Sequence, residues 1–245
     1  MPEVAVYDLG SIDYKRCWDL QERLFADKLQ LKTANRNLAQ AEQHPIKHQL
    51  LLVEHPHVYT LGKSGKAENL LLNDEELQAV KATYYHINRG GDITYHGPGQ
   101  LVVYPLLDLE QFRTDIHWYM RSLEEAVIQT LVHWGISGQR YPGYTGVWLD
   151  ADDDDNARKI CAMGVRTSRW VTMHGIALNV NTNLDYFKHI VPCGIDDKAV
   201  ASMKQELGET IDMGQVKAHF LAAFQQVFGC TLHKHSPDTL PLATS

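Results

Sequence analysis

Residues 89–106 read RGGDITYHGPGQLVVYPL, and four glycines (Gly90, Gly91, Gly97, Gly99) with Pro98 fall inside ten positions of that run. Glycine admits positive φ and lets a ligand approach bare backbone. The apolar-rich segment 84–88 before the loop and the segment 100–106 after it both read as strands. The loop between them also carries Arg89, Tyr95, His96 and Gln100. Two readings are open on the pattern: a loop that closes around a bound molecule, or a β-hairpin with glycine turns and a core tyrosine.

Around this loop the chain alternates strands and helices. Residues 4–9 read as a strand. Residues 13–31 read as a helix with Trp18, Leu20, Leu24, Phe25 and Leu29 on one face and Ser11 or Asp13 as cap. Segment 32–47 reads as helix extension or loop. Segments 49–54 and 58–61 are strands interrupted by His55-Pro56-His57. That histidine pair suggests a metal, but Pro56 separates the two and no cysteine or carboxylate completes a set, so no metal is assigned. Short helix 74–81 follows. A long amphipathic helix spans 115–134, with Trp118, Met120, Leu123, Val127, Leu131 and Trp134 recurring at three and four.

Segments 144–149, 159–165 and 170–180 read as strands, the last two paired. Helices follow at 200–207 and 213–228, and the polar tail after Cys230 is expected to fray. Most strand neighbours are joined by short links. That predicts an α+β protein with mixed or antiparallel sheets and flanking helices rather than a doubly wound parallel one. No linker or repeat divides the 245 residues, so one domain over 1–245 is expected, with about 233–245 as a flexible tail.

A net charge of −7 and the absence of a Lys/Arg run argue against a nucleic-acid partner. No apolar stretch approaches the ~20 residues of a membrane span, and the N-terminus lacks a basic-then-apolar leader. Four scattered cysteines (Cys17, Cys161, Cys193, Cys230) form neither a disulfide framework nor a zinc set, which points to a reducing, cytoplasmic setting. The acidic run DADDDDN at 150–156 lacks the spacing of a calcium loop and reads as a solvated connection.

Two residues stand out for covalent chemistry. Cys193 lies in Pro192-Cys193-Gly194, a tight bend that exposes a thiol. A free thiol has a pKa near ~8.5, so a neighbouring cation is needed to favour the thiolate. Lys159, between the acidic run and an apolar strand, can be that cation, or a strand-end lysine paired with the aspartates. His174 in VTMHGIALNV can be a hydrogen-bonded core histidine or a site residue.

Several stretches resemble the lipoyl(octanoyl) transferases: the Arg-Gly-Gly…Thr-Tyr-His-Gly-Pro-Gly-Gln loop, LLLVEHPHVYTLGK at 50–63, KICAMGVR at 159–166 with VPCGI at 191–195, and VTMHGIALNV at 171–180, which is similar to the family's acyl-site strand with His174 and Gly175 matching. The resemblance implies a biotin/lipoate protein ligase-like α+β fold. It implies octanoyl transfer from acyl carrier protein, through a thioester on Cys193 tuned by Lys159, to a lysine of a lipoyl-carrier domain. The acceptors it implies are the lipoyl domains of 2-oxoacid dehydrogenases and the glycine-cleavage carrier protein, with no cofactor.

It assigns substrate contacts to Arg89, Gly90, Gly91, Asp92, Ile93, Thr94, Tyr95 and His96 of the loop. On the later strands it assigns them to Ala162, Met163, Gly164, Gly175, Ile176 and Ala177. Cys161 stands where the family has alanine, which puts a second thiol near the expected centre. Three other readings remain: an ATP-dependent lipoate or biotin ligase on the same fold, a cysteine hydrolase using Cys193 with His96 or His174, and a non-catalytic module that binds acyl carrier protein.

Overall fold

A computed structural model describes residues 1–191 and 199–241. Eleven strands among these residues form two sheets. The large sheet contains β1 (Glu3–Ser11), β2 (His48–Glu54), β6 (Gln100–Leu106), β7 (Val147–Leu149), β8 (Arg158–Ser168), β9 (Val171–Asn179), β10 (Ala199–Val200) and β11 (Thr231–His235). Its order is β10-β8-β9-β6-β2-β1-β11, with β7 also paired to β8. The centre, β8-β9-β6-β2, is antiparallel, whereas β1 runs parallel to both β2 and β11. The small sheet has order β4-β3-β5, from β3 (Val58–Leu61), β4 (Thr83–His86) and β5 (Ile93–His96). The fold is therefore the mixed α+β arrangement that the short strand links predict.

Alternation along the central strands sorts side chains onto two faces. Leu50, Leu52, Leu101, Val103, Ile176 and Leu178 bury against two helices, α3 (Ile116–Val132) and α5 (Met213–Phe228). Leu51, Val53, Val102, Tyr104 and Ala177 face the other way, onto Leu20 and Leu24 of α1 (Tyr14–Asn35). Asp13 starts α1 by accepting the Arg16 N–H at 3.0 Å, and Asp115 caps α3 in the same way through Trp118 N–H. Helix α1 runs four residues past the predicted end at 31 because Lys32 and Asn35 are buried. Lys32 reaches Asp108 at 2.6 Å, and the Asn35 side chain closes onto the His44 backbone. Short helix α2 (Asp74–Ala79) carries a full capping box from Asn73 and Glu76. Residues 200–207, expected to be one helix, divide into β10 and the short α4 (Met203–Leu207), which begins at the Ser202 cap.

The segment after Cys230 corrects an expectation. Its polar residues suggested a frayed tail from about 233, yet Thr231–His235 pairs in register with Glu3 to Tyr7 as an edge strand. An edge strand needs few apolar side chains, because its backbone partners supply the order while one side stays solvated. Leu240 then packs into the cluster on the α1 face.

Candidate functional site

A pocket lies where the glycine loop and β5 meet β8 and β9, enclosing about 950 Å³ of empty space counted out to its mouth. That is the scale of a small-molecule site. Thr145, Lys159 and Ala199 line its outer part, where Thr145 and Ala199 are exposed. The walls are Ile93, Ala162, Met163, Gly164, Ile176 and Ala177. At the inner end lie Tyr14, Tyr104, His174 and His96, which are 2%, 3%, 2% and 7% exposed. The pocket is thus a largely apolar channel that runs from a cationic mouth to a polar, buried floor.

Two backbone irregularities shape it. Opposite Val147 and Trp148, β8 carries one extra residue: Val147 pairs with Cys161 but Trp148 pairs with Lys159. This bulge shifts the alternation. Lys159 and Ala162, three apart, both line the pocket, while Ile160 and Cys161 both enter the core beneath α3 and α5. Lys159 Nζ lies 4.6 Å from the centroid of the Trp148 ring, a cation–π contact that holds the ammonium at the mouth. The neighbouring Arg158 bonds Asp150 of the acidic run and, at 2.7 Å, Glu206. Cys161 is fully buried, and burial pushes its thiol well above the ordinary range. Its side chain belongs to the helix-side core, so the second thiol faces away from the pocket.

The other irregularity is in β9. His174 has φ +59° in mid-strand, a left-handed conformation that non-glycine residues rarely adopt. The β6–β9 pairing ends at Val103↔Ile176, and an isolated bridge then joins Asp108 to Val171 in the same register, which sets Pro105 across from His174 in the unpaired stretch between them. The Pro105 carbonyl points toward β9, where it accepts the Thr172 hydroxyl at 2.8 Å, and proline has no N–H to offer beside it. The His174 N–H turns instead to Gln21 Oε1 on α1, at 3.0 Å. Met173 packs on Phe25 of α1. In a regular strand His174 would then face α3 and α5. The left-handed kink brings its ring to the α1 side, against Tyr104 at 6.4 Å between centroids.

The glycine loop is held over this channel by specific bonds. Arg89 folds back onto β3: Nη2 donates to the Thr60 carbonyl at 2.7 Å and to Thr60 Oγ1 at 3.0 Å, and Nη1 donates to Gly90 O. Gly90 N–H bonds Val165 O at 2.9 Å, stitching the loop to β8. This approach needs Gly164, where an added Cβ would lie 2.9 Å from Gly90 O and 3.0 Å from Arg89 Cδ. Asp92 Oδ2 accepts from Asn69 at 2.7 Å, and its Oδ1 accepts the Ile93 N–H. Gln100 Oε1 accepts from His96 Nδ1 at 2.8 Å, while Gln100 Nε2 donates to Asn179 Oδ1 at 2.9 Å and to Tyr95 O. The Gly-Pro-Gly-Gln segment therefore orients the floor histidine. His55 fixes Tyr104 in turn: its Nδ1–H donates to Ile12 O, and its Nε2 accepts the Tyr104 hydroxyl at 2.8 Å.

Burial keeps these imidazoles neutral. The pKa of His96 falls to about 3, first through desolvation and then through His55, Arg89 and His174. That of His174 falls to about 3 through desolvation, with the Arg89 and Arg166 charges adding to it. That of His55 falls to about 4 by desolvation. Among the described residues, no group of three or more His, Cys, Asp or Glu stands close enough to hold a metal ion.

Of the residues singled out in the sequence, Arg89, Gly91, Asp92, Ile93, Thr94, His96, Lys159, Ala162, Met163, Gly164, Gly175, Ile176 and Ala177 all line this one pocket. Gly90 contributes its backbone bond to β8 instead. Tyr95 does not reach the pocket. Its side chain is on the opposite side of β5, in the core of the small sheet with Tyr59 and Tyr186, and its hydroxyl meets His57 Nδ1 at 2.7 Å. Cys193 lies outside the described residues. Ala199, the first described residue after it, lines the mouth. Sequence reasoning missed Tyr14, Tyr104, Trp148 and Phe187 as pocket residues. Each sits in a regular helix, strand or turn pattern where an aromatic residue looks like core, and the first three are in fact buried there as well.

The family model described as lipoyl protein ligase A/B catalytic domain matches residues 13–225. A protein from Christiangramia forsetii named octanoyltransferase is 58% identical over 231 residues, covering 94% of this chain and 97% of that one. A protein of the same name from Cytophaga hutchinsonii is 57% identical over 225 residues, 92% of each. Among solved structures, a bipartite lipoate protein ligase from Thermoplasma acidophilum superposes with TM-score 0.69 at 15% identity, covering 96% of this chain and 88% of that one. A lipoate-protein ligase A bound with ATP gives TM-score 0.66 at 14% identity with the same coverage. Likeness at that identity shows a common fold.

Proposed function

Since the chain belongs to the lipoyl protein ligase A/B catalytic-domain family, we propose that it transfers an octanoyl group to a protein lysine in lipoylation, by way of a thioester on Cys193. The donor is octanoyl-acyl carrier protein. The acceptors are the lipoyl domains of 2-oxoacid dehydrogenases and the glycine-cleavage carrier protein, and the reaction runs in the cytoplasm. No helix among the described residues is long and apolar enough to cross a membrane.

One observation carries the reading: an apolar channel closed at its inner end, with Lys159 at its mouth. A saturated acyl chain fits such walls. Burying six or seven methylene-equivalents at ~0.8 kcal/mol each supplies a gross ~5 kcal/mol. In the first step the Cys193 thiolate attacks the thioester carbonyl carbon, the bond to the carrier sulfur breaks, and the carrier thiol leaves. Thioester is exchanged for thioester, so no nucleotide is consumed. In the second step the acceptor amine attacks the acyl-cysteine. The new C–N bond replaces the C–S bond, a proton leaves the nitrogen, and the cysteine thiolate is restored. The Lys159 ammonium favours the thiolate in both half-reactions. The relatives named octanoyltransferase, more than half identical over nine-tenths of the chain, support the same reaction.

The test is intact-protein mass after mixing with octanoyl-acyl carrier protein in the absence of ATP, for wild type and Cys193→Ala. An octanoyl adduct on wild type alone, discharged by a lipoyl-domain lysine, is the expected result. Modification of the acceptor only when ATP and free octanoate are supplied would make the protein a ligase instead. An adduct that persists in Cys193→Ala would move the acyl group to another residue.

A further inference from the structure

The channel floor is more polar than a saturated chain requires. Of the groups that meet there, Tyr104 donates to His55, and His96 is bonded to Gln100. His174 differs. It is among the residues that line the pocket, and its buried Nε2 has no hydrogen-bond partner among the described residues. Buried polar atoms in folded proteins are nearly always bonded, so such an atom calls for an explanation. The backbone makes a packing accident a poor one. A left-handed residue in mid-strand, a proline across from it, and a buried glutamine on α1 that takes up the displaced N–H together set this ring against Tyr104 in the pocket lining. Strain of this kind persists where the surroundings over-determine it, and it collects at ligand sites.

Resting on the acyl-transfer reading above, we propose that His174 Nε2 is a specificity-determining group that hydrogen-bonds an oxygen on the distal half of the acyl chain. The enzyme then accepts hydroxylated medium-chain acyl thioesters as well as the saturated one. The position along the channel fits. From Lys159 to Val165, the partner of His174, is six residues of β8, or roughly 20 Å less the bulge at ~3.3 Å each. Part of that span is taken up by the side chains at the mouth, and the rest suits an extended eight-carbon chain whose last carbons reach the floor. A neutral imidazole is suited to the task, because it presents one donor and one acceptor nitrogen and a hydroxyl can meet either. The partner is thus chemically defined as an alcohol oxygen at carbons 5 to 8.

The experiment compares kcat/KM for octanoyl, 6-hydroxyoctanoyl and 8-hydroxyoctanoyl thioesters of acyl carrier protein in wild type, His174→Asn and His174→Phe. Asparagine tolerates the left-handed backbone but stops short of the imidazole's reach; phenylalanine keeps the ring and removes the nitrogens. In wild type at least one hydroxylated chain is expected within about ten-fold of octanoyl, because a site built to bond a hydroxyl does not reject it. In either variant the hydroxylated-to-octanoyl ratio is expected to fall about ten-fold or more. The ratio is read from whichever variant folds. An unchanged ratio, or wild-type rejection of both hydroxylated chains by a hundred-fold, would overturn the assignment. Failure of wild type to transfer octanoyl at all would instead break the acyl-transfer reading on which it rests.

Discussion

Acid should unfold this protein through three buried histidines, two on the channel floor and one, His55, behind Tyr104. His55, His96 and His174 have folded pKa values of about 4, 3 and 3 against an unfolded value of ~6.5. Between pH 6.5 and those values, the unfolded chain binds up to three more protons at these sites than the native one does. Stability therefore rises with pH through the window, and falls as pH drops from 6.5 toward 4. Above 6.5 both states are neutral and the three contribute no slope. Each buried imidazole accounts for about 1.4 kcal/mol per pH unit once well inside the window. Taking pH 7 to pH 5, the loss is about 2 kcal/mol per histidine and about 6 kcal/mol for all three. That is comparable with the whole stability of an ordinary domain. The assay is urea unfolding at pH 7, 6 and 5, followed by far-UV circular dichroism, with m checked for constancy. His174→Asn should show a slope shallower by about a third. A wild-type loss under about 2 kcal/mol between pH 7 and 5, or an unchanged slope in His174→Asn, would refute the reasoning. It would mean that the floor is hydrated and that its imidazoles titrate in the folded state.

Two further perturbations bear on the channel walls. Gly175→Ala places a methyl against the Val103 carbonyl and Pro105 Cδ, where β6 and β9 pair at the centre of the sheet; neither backbone can yield, and a loss of about 3 kcal/mol or more in urea unfolding is expected. Ala162→Leu fills the channel midway along β8 from a half-buried position; octanoyl's advantage over hexanoyl, about fifteen-fold from two methylenes at ~0.8 kcal/mol each, should vanish or invert in competition transfer assays.

Much of the pocket's lining was legible, partly from the loop's own chemistry and partly from the resemblance of its motifs. A loop that needs Gly90, Gly91, Gly97 and Gly99, yet retains Arg89, His96 and Gln100, is expensive to keep unless backbone and side chains both meet something. In the structure Gly90 bonds Val165 and Gln100 orients His96. The small residues Ala162, Gly164, Gly175 and Ala177 likewise read as room beside two strands, and they line the pocket. Tyr95 was misread because the loop motif and the period-two alternation of β5 conflict. Thr94 and His96 line the pocket and Tyr95 between them turns into the small-sheet core, while Ile93 at the start of the strand touches both. Tyr14 and Trp148 were invisible for a different reason. Each satisfies its helix or strand pattern as a buried aromatic, and only tertiary placement turns one edge toward the channel. The edge strand β11 was unreadable because its order comes from β1, 228 residues earlier (Glu3 pairs with Thr231), and not from its own polar residues.

What separates the two ends of the channel from ordinary sheet is that each breaks alternation. A regular β8 would put Lys159 and Cys161 on one face, so an ammonium at the mouth would bring a competing thiol with it. The extra residue at Ile160 places the lysine at the pocket and the cysteine in the core. A regular β9 would send His174 toward α3 and α5, where its polar ring would meet the apolar cluster of Leu123, Val127 and Phe220. The left-handed kink opposite Pro105 averts that burial and delivers the ring to the floor. Neither irregularity helps the sheet: one leaves a residue unpaired, and the other holds a histidine in a conformation that costs of order 1–3 kcal/mol. Two such departures, on adjacent strands and at opposite ends of one cavity, are better explained by the pocket between them than by the packing on either side.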